Sequence, residues 1–260
     1  MIQVDDSFHI LESESVLYKY YKKIQQFPLM FEKDEYLCIF ESLLKKFRNS
    51  LILNIGCGRD VLFFDLQKRG AEIIELDIIV EPLKEIKAYG ARHLVRADAH
   101  HLPFRDNTFD LVFAIGVLHH LKFIQKASEE AIRVVKRGKF ILFSEPNKRY
   151  LPTRIIELLP FNLAYYLRSK VFPKLFHLYT PPASYERTLH PKYIKRLIGK
   201  KVTKCYEVFD RLPHIVIHSL QSSPLPLKLW ESLVRILEKT RLWRRLSLFL
   251  SYKFIIICQK

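Results

Sequence analysis

The residues of this sequence that could do chemistry are a glycine turn, two aspartates and a histidine pair. The turn is Gly56-Cys57-Gly58, and it directly follows the apolar run 51–55. Asp77 lies 21 residues after Gly56, and Asp98 and His119-His120 come later. Glycine lets a backbone approach a ligand closely, carboxylates accept hydrogen bonds from hydroxyls, and a neutral imidazole can accept a proton. The pattern predicts a binding turn that is followed by ligand contacts and a candidate base.

The elements around the turn indicate which ligand it binds. The run 51–55 is too short for a helix and predicts a buried parallel strand, whereas 61–66 has helical spacing. A strand, a glycine turn and a helix are typical of a nucleotide-binding βαβ unit. The dinucleotide fingerprint needs glycine where Val61 stands, and no Lys followed by Ser or Thr is present to hold a triphosphate. The turn therefore suits a nucleoside without phosphates, of which S-adenosylmethionine (SAM) is the common one.

The titratable residues have competing interpretations. Asp77 ends the predicted strand 71–76, near the offset at which such folds place a ribose-binding acid, whereas Glu75 lies inside that strand. Asp98 is a second candidate contact, although aspartate is also common in turns. His119 and His120 could serve as a general base or could only pack at a helix start. Because adjacent helical residues face different ways, we expect at most one in the pocket and favour His120.

Strands alternate with helices through the middle of the chain. Further strands are predicted at about 93–97, 109–114 and 140–144, with helices at 61–69, 82–89 and 122–135. Helices are also expected in residues 1–50, the second at about 32–47. The alternation predicts an α/β fold with a parallel sheet.

Several ordered motifs resemble class I SAM-dependent methyltransferases, in the broad group related to quinone methyltransferases. The similarity covers roughly 51–146 and includes Leu53–Gly58, Phe109–Val112, the Val117–Leu121 segment and Arg133–Gly138. It implies a seven-stranded, mostly parallel sheet with helices on both faces. Strands six and seven then lie near 202–209 and 253–258, with the seventh antiparallel. Two helical insertions, about 147–200 and 211–251, are expected to roof the active site and choose the substrate.

The resemblance also assigns residues. It implies SAM as cofactor, with S-adenosylhomocysteine as product, Asp77 as ribose acid and Asp98-Ala99 as adenine contact. The family usually has Asp where this chain has Asn54, whose amide oxygen could still accept from the methionine ammonium. The expected cofactor contacts are Asn54, Gly56, Cys57, Gly58, Asp77, Asp98, Ala99 and Ile115, and the expected catalytic residues are His120 and His119.

The length and the charge distribution of the chain indicate its domain organisation and the kind of partner it binds. With 260 residues and 49% hydrophobic content the chain is long enough for one domain with insertions. We expect an N-terminal helical cover, 1–50, and a methyltransferase domain, 51–260. Of the net charge of +16, residues 151–260 hold +14 and residues 1–150 only +2. This asymmetry favours an anionic partner for the C-terminal part, and the stretch 225–246 could be a helix lying on a membrane surface.

Cysteine usage and the absence of a signal pattern predict a cytoplasmic protein, possibly peripheral at a membrane. The cysteines at 38, 57, 205 and 258 form no Cys-x-x-Cys pair and are expected to be reduced thiols. No metal site is expected, since His214 and His218 lack further ligands.

The expected function is methyl transfer from SAM to a small-molecule or lipid-like acceptor, on oxygen, nitrogen or carbon. Two alternatives remain open. One is an RNA methyltransferase that uses the basic C-terminal surface, and the other is a non-catalytic scaffold with the same fold. The acceptor and the oligomeric state are not predicted.

Overall fold

A computed structural model describes residues 33–59, 62–148, 158, 163, 189–199, 201–209 and 253–260. These residues form one sheet flanked by helices. Its strands are β1 Leu51–Ile55, β2 Glu72–Asp77, β3 His93–Arg96, β4 Phe109–Ile115, β5 Val135–Pro146, β6 Lys204–Phe209 and β7 Lys253–Gln259. The helices are α1 Lys33–Leu44, α2 Leu62–Lys68, α3 Val80–Ala88, α4 Ile124–Val134 and α5 Pro191–Ile198, with a 3₁₀ turn at Leu118–His120.

The sheet has the strand order β3-β2-β1-β4-β5-β7-β6. β1 to β5 are parallel to one another, and β7 is antiparallel to both of its neighbours, β5 and β6. The predicted fold class, a mostly parallel seven-stranded α/β sheet, is confirmed. Strand order reverses between β1 and β4, which is where open α/β sheets bind ligands, beyond the carboxyl ends of their strands.

Helices cover both faces of the sheet because successive strand residues point to opposite sides. In β4, Val112 and Ala114 join the core beneath α4 and α5, whereas Leu111 and Phe113 join the core beneath α1, α2 and α3. All four side chains are fully buried. The near-continuous apolar composition of the central strands follows from this double coverage.

β5 begins at Val135, directly after α4, rather than near residue 140 as predicted. Its first residues include Lys136 and Lys139, which the apolar pattern excluded from a strand. Asp110 of β4 binds both ammonium groups, at 3.0 and 3.1 Å, and also accepts from the backbone N–H of Leu51. These ion pairs hold a charged strand beside a register shift between Phe109 and Leu111.

A disulfide joins Cys205 and Cys258, so the prediction of reduced thiols is wrong for this pair. The two residues are register partners of β6 and β7, and their Cα atoms lie 4.2 Å apart. Antiparallel pairing therefore brings together cysteines that are 53 residues apart in sequence. The absence of closely spaced cysteines in the sequence therefore does not exclude this disulfide. Cys57 is buried and is not part of this disulfide.

The final part of the first predicted insertion belongs to the core. Ile194 and Ile198 of α5 are fully buried in the cluster that contains α4. Residues 1–32 of the predicted cover and most of the predicted insertions, including 211–251, the stretch 225–246, His214 and His218, lie outside the described residues. Among the described helices, none combines the length and apolar character needed to cross a membrane.

A buried polar pair links β1 to β2. Asn54 and Glu75 are register partners, are 2% and 1% exposed, and the Asn54 amide donates to Glu75 Oε2 at 2.7 Å. An aspartate at position 54, as the family usually has, would place two carboxylates against each other in the core. Asparagine instead supplies a hydrogen-bond donor to the buried Glu75 side chain, which explains this departure from the family pattern.

We expect Asn54→Asp to lower the free energy of unfolding by about 3 kcal/mol, because it removes the donor and adds a second buried charge. Urea denaturation followed by circular dichroism measures the change. The matched control is Asn54→Asp combined with Glu75→Gln, which reverses donor and acceptor and should recover most of the loss. Equal stability of wild type and Asn54→Asp would contradict the interpretation.

Candidate functional site

The glycine turn after β1 has the backbone that its sequence predicts. Gly56 and Gly58 have φ of +65° and +52°, in the left-handed region that favours glycine. A Cβ atom at Gly56 would lie 2.6 Å from the Val117 side chain, so the turn packs directly against the segment after β4. A Cβ at Gly58 would meet nothing within 4 Å. The turn is thus closed on one side and open at Gly58.

Asp77 lies beside this turn, at the end of β2. Its Oδ2 accepts from the backbone N–H of Gly58 at 2.9 Å, and its Oδ1 accepts from that of Ile79 at 2.9 Å. The side chain is mostly buried, and burial raises the pKa of the carboxyl while backbone hydrogen bonds lower it less. The structure therefore brings together the predicted ribose acid and the glycine turn. Each carboxylate oxygen has a second lone-pair direction for a hydroxyl donor.

Asp98 makes its contacts within its own turn. Its Oδ1 accepts from the backbone N–H of His100 at 2.9 Å and lies 2.6 Å from His100 Nδ1. Burial raises the pKa of Asp98, but the hydrogen bonds and charge of His100 outweigh it and hold the pKa below its usual value. Ala99, next to it, is buried in the core. The adenine contact predicted at Asp98-Ala99 would therefore involve a carboxylate that stays ionised.

Arg133 of α4 fastens the loop that follows Asp98. Its guanidinium donates to the carbonyls of Leu102 and Phe104 and forms ion pairs with Glu130 and Asp106. Glu130 in turn accepts from the backbone N–H of Leu102 at 2.8 Å. The loop is thereby held to α4 through its backbone.

Three further predicted contacts have different surroundings. Cys57 is buried, and its backbone N–H donates to the Leu76 carbonyl at 2.9 Å, which joins the turn to β2. Ile115 ends β4 and is partly exposed at the ligand-binding edge. Asn54 lies inside the sheet with its amide group on Glu75, so Oδ1 is the atom left for a methionine ammonium.

The histidine pair lies at the carboxyl end of β4, in the 3₁₀ turn. The rings of His119 and His120 stack at a centroid distance of 3.9 Å. His119 is the more deeply held of the two, since its side chain is 10% exposed and its Nδ1 lies 2.6 Å from Glu145 Oε2. His120, which the sequence analysis favoured, is partly exposed on the same turn.

Glu145 is a site residue that the sequence analysis missed. It is the penultimate residue of β5, is 0% exposed, and accepts at Oε1 from the backbone N–H groups of Val117 at 3.1 Å and Leu118 at 2.7 Å. The signal that identified Asp77 was available here as well, because Glu145 is an acid at the end of an apolar strand. The two acids lie at the carboxyl ends of β2 and β5, on either side of β1 and β4.

The arrangement fits SAM at the residues that the structure describes. The open space at Gly58 admits a ligand against the backbone, and Asp77 adjoins that space. No phosphate-binding cation is part of the turn sequence, in agreement with a nucleoside ligand. Within the described ranges, no group of three or more histidine, cysteine and acidic side chains could hold a metal ion.

Comparison with known families matches residues 53–143 to a family described as a methyltransferase domain. The match begins in β1 and ends in β5, so it spans the glycine turn, Asp77, Asp98 and the histidine pair. A structure described as a SAM-dependent methyltransferase from Archaeoglobus fulgidus is similar, with a TM-score of 0.58 and 19% identity. It covers 94% of this chain and 99% of that chain. At that identity the likeness concerns the fold.

Curated relatives are similar over part of this chain. An uncharacterized protein of Methanocaldococcus jannaschii, MJ0638, is 43% identical over 111 residues, 40% of this chain and 47% of the relative. The sterol 4-C-methyltransferase strm-1 of Caenorhabditis elegans is 31% identical over 41% of this chain and 34% of its own. A tRNA (carboxymethyluridine(34)-5-O)-methyltransferase of Arabidopsis thaliana is 38% identical over 36% of this chain and 24% of its own.

The chain thus spans about half the length, or less, of these relatives. Family match, fold and site geometry agree with one another. Residues 53–143 therefore match a methyltransferase-domain family, and the sheet has a fold found in a SAM-dependent methyltransferase.

Proposed function

We propose that this chain is an enzyme that transfers a methyl group from SAM to a small-molecule or lipid-like acceptor. The observation that supports it most directly is the contact between Asp77 and Gly58, which places a buried carboxylate beside an open glycine turn. The same turn in a dinucleotide- or triphosphate-binding protein would include further glycines or a lysine. When bound, SAM supplies a methyl group on a positively charged sulfur.

The chain's own residues orient the two reactants. Asp77 accepts from ribose hydroxyls, and Gly58 lets the nucleoside approach the backbone. The ends of β4 and β5, with Val117 packed on Gly56, then form the neighbouring wall where an acceptor lies. Holding the donor and acceptor in line is a large part of catalysis in such reactions, since it replaces a bimolecular encounter.

A lipid-like acceptor is supported by the sterol methyltransferase among the relatives, and by the basic composition of 211–251, which also contains Trp230 and Trp243. RNA is a second candidate, which the tRNA methyltransferase relative and the charge of +14 in residues 151–260 favour. Peripheral contact of 225–246 with an anionic membrane remains part of the proposal for the lipid acceptor. Polyelectrolyte binding weakens steeply with salt, which separates the two candidates.

We expect label from [methyl-³H]SAM to enter the organic phase when the protein acts on a fractionated cell extract. RNA, protein and water-soluble metabolites are counted separately, at low and high salt. Label in RNA that falls steeply with salt would support the second candidate instead. SAM binding without label in any fraction would favour a non-catalytic scaffold.

We expect Asp77→Ala to abolish measurable binding of S-adenosylhomocysteine, because the ribose loses its acceptor and the turn loses a tie at Gly58. Isothermal titration calorimetry measures the affinity, and thermal unfolding confirms that the variant is folded. Asp77→Asn is the matched control: it keeps one carbonyl acceptor and should retain weakened binding. Unchanged affinity in Asp77→Ala would remove Asp77 from the site.

We expect Gly58→Ala to weaken S-adenosylhomocysteine binding at least tenfold, because the added methyl group occupies the open space of the turn. Gly138→Ala is the matched control, since Gly138 also has a positive φ, of +74°, with open space around it, at the start of β5. Both changes should lower stability by about 1 kcal/mol. If both variants bind alike, the space at Gly58 is not ligand space.

A further inference from the structure

The carboxylate of Glu145 has more contacts than a capping role requires. Capping of the 3₁₀ turn uses Oε1, which accepts from Val117 and Leu118. Oε2 is left for His119, and its distance to the ring Nδ1 is 2.6 Å, against 3.4 Å to the His119 backbone nitrogen. The shorter contact is therefore the one to the imidazole.

This contact bears on which ring nitrogen of His119 donates a hydrogen bond and which one carries the lone pair. Oε1 already accepts two backbone hydrogen bonds, and with Oε2 as a further acceptor Nδ1 of His119 is the donor. In neutral His119 the lone pair then resides on Nε2, which makes no hydrogen bond to any residue in the described part of the chain. A carboxylate that holds the far nitrogen of a histidine in this way selects its tautomer and orientation.

The pair lies at the edge where the acceptor is expected. Glu145 lies at the carboxyl end of β5, and His119 follows β4. In the sheet, β4 is adjacent to β1 and β5 is adjacent to β4, and β1 leads into the glycine turn. Val117 joins the two parts, because its backbone N–H binds Glu145 and its side chain packs against Gly56. His120 and Glu145 are the titratable groups that the structure places against the His119 ring.

We infer that Glu145 is a positioning residue that holds His119 as the proton acceptor of methyl transfer, so that the acceptor atom is an oxygen or nitrogen that bears a proton. The inference rests on the proposed function and deepens it. A lone pair of the acceptor O–H or N–H forms the bond to the methyl carbon, and the carbon–sulfur electron pair remains on sulfur. The acceptor's proton passes to Nε2 of His119, and the resulting imidazolium is stabilised by the Glu145 carboxylate.

The first test reads the tautomer without any acceptor. The full-length protein is labelled with ¹⁵N-histidine, and long-range ¹H–¹⁵N spectra are recorded with S-adenosylhomocysteine present; the His119→Gln variant assigns the signals. We expect the Nδ1–H tautomer in the wild type. In Glu145→Gln the amide group can cap the turn but can also donate to Nδ1, so that tautomer should be lost. An Nε2–H tautomer in the wild type would overturn the inference.

The second test measures transfer. We expect Glu145→Gln and His119→Gln each to lower the rate of label incorporation by about 10²–10⁴-fold, the usual contribution of a general base, with unchanged affinity for S-adenosylhomocysteine. His120→Ala, the base favoured from sequence, should have a smaller effect. Mass spectrometry of the product should place the label on oxygen or nitrogen.

The outcomes separate this inference from the proposed function. Full activity in Glu145→Gln and His119→Gln, or label on carbon, overturns the role of the pair and leaves methyl transfer intact. Absence of SAM binding in the wild type overturns the proposed function, while the tautomer still reports the geometry. Equal losses of rate and stability in Glu145→Gln, with the wild-type tautomer retained, would show a purely structural carboxylate.

Discussion

The site depends on the burial of one acidic side chain, that of Glu145. An isolated carboxylate in a protein interior is costly, and it persists there only when hydrogen-bond donors surround it. The donors come from the turn after β4, whose backbone N–H groups would otherwise be unsatisfied at a 3₁₀ start. The same hydrogen bonds therefore satisfy the buried Glu145 side chain and the backbone N–H groups of the turn. Because Val117 of this turn contacts Gly56, the position of the β5 end also determines the wall of the glycine turn.

The two ends of the parallel strands have opposite electrostatic organisation. At the amino ends, Asp110 is paired with Lys136 and Lys139, whose ammonium groups remain partly exposed. At the carboxyl ends, Asp77 and Glu145 are buried and bound mainly by backbone N–H groups. Exposed pairs tolerate substitution because water can replace a lost partner, whereas a buried carboxylate cannot exchange its donors for water. The candidate site lies at the carboxyl ends of the strands, where the acidic side chains are buried.

The fold and half of the site followed from local sequence patterns. Apolar runs that end at Gly56 and Asp77 have the length and composition of buried strands, so these strands and the turn were predictable, and the seven-stranded sheet followed from the resemblance. Contacts between residues that are far apart in the sequence were not predictable. The Asn54–Glu75 pair, the Cys205–Cys258 disulfide and the His119–Glu145 contact each depend on strand register, which periodicity does not encode. The start of β5 was misplaced because its lysines are neutralised by a residue on another strand.

The disulfide covalently constrains the segment between β6 and β7. Residues 206–257 form a covalently closed ring whose two ends meet at a single pair of backbone positions. Closing a loop of this length removes about 4 kcal/mol of conformational entropy from the unfolded chain. Residues 211–251, which hold seven Lys or Arg residues and two acidic ones, lie within this ring, so their composition can diverge while the anchoring point remains fixed. Sequence change in a closed loop thereby leaves the pairing of the last two strands undisturbed.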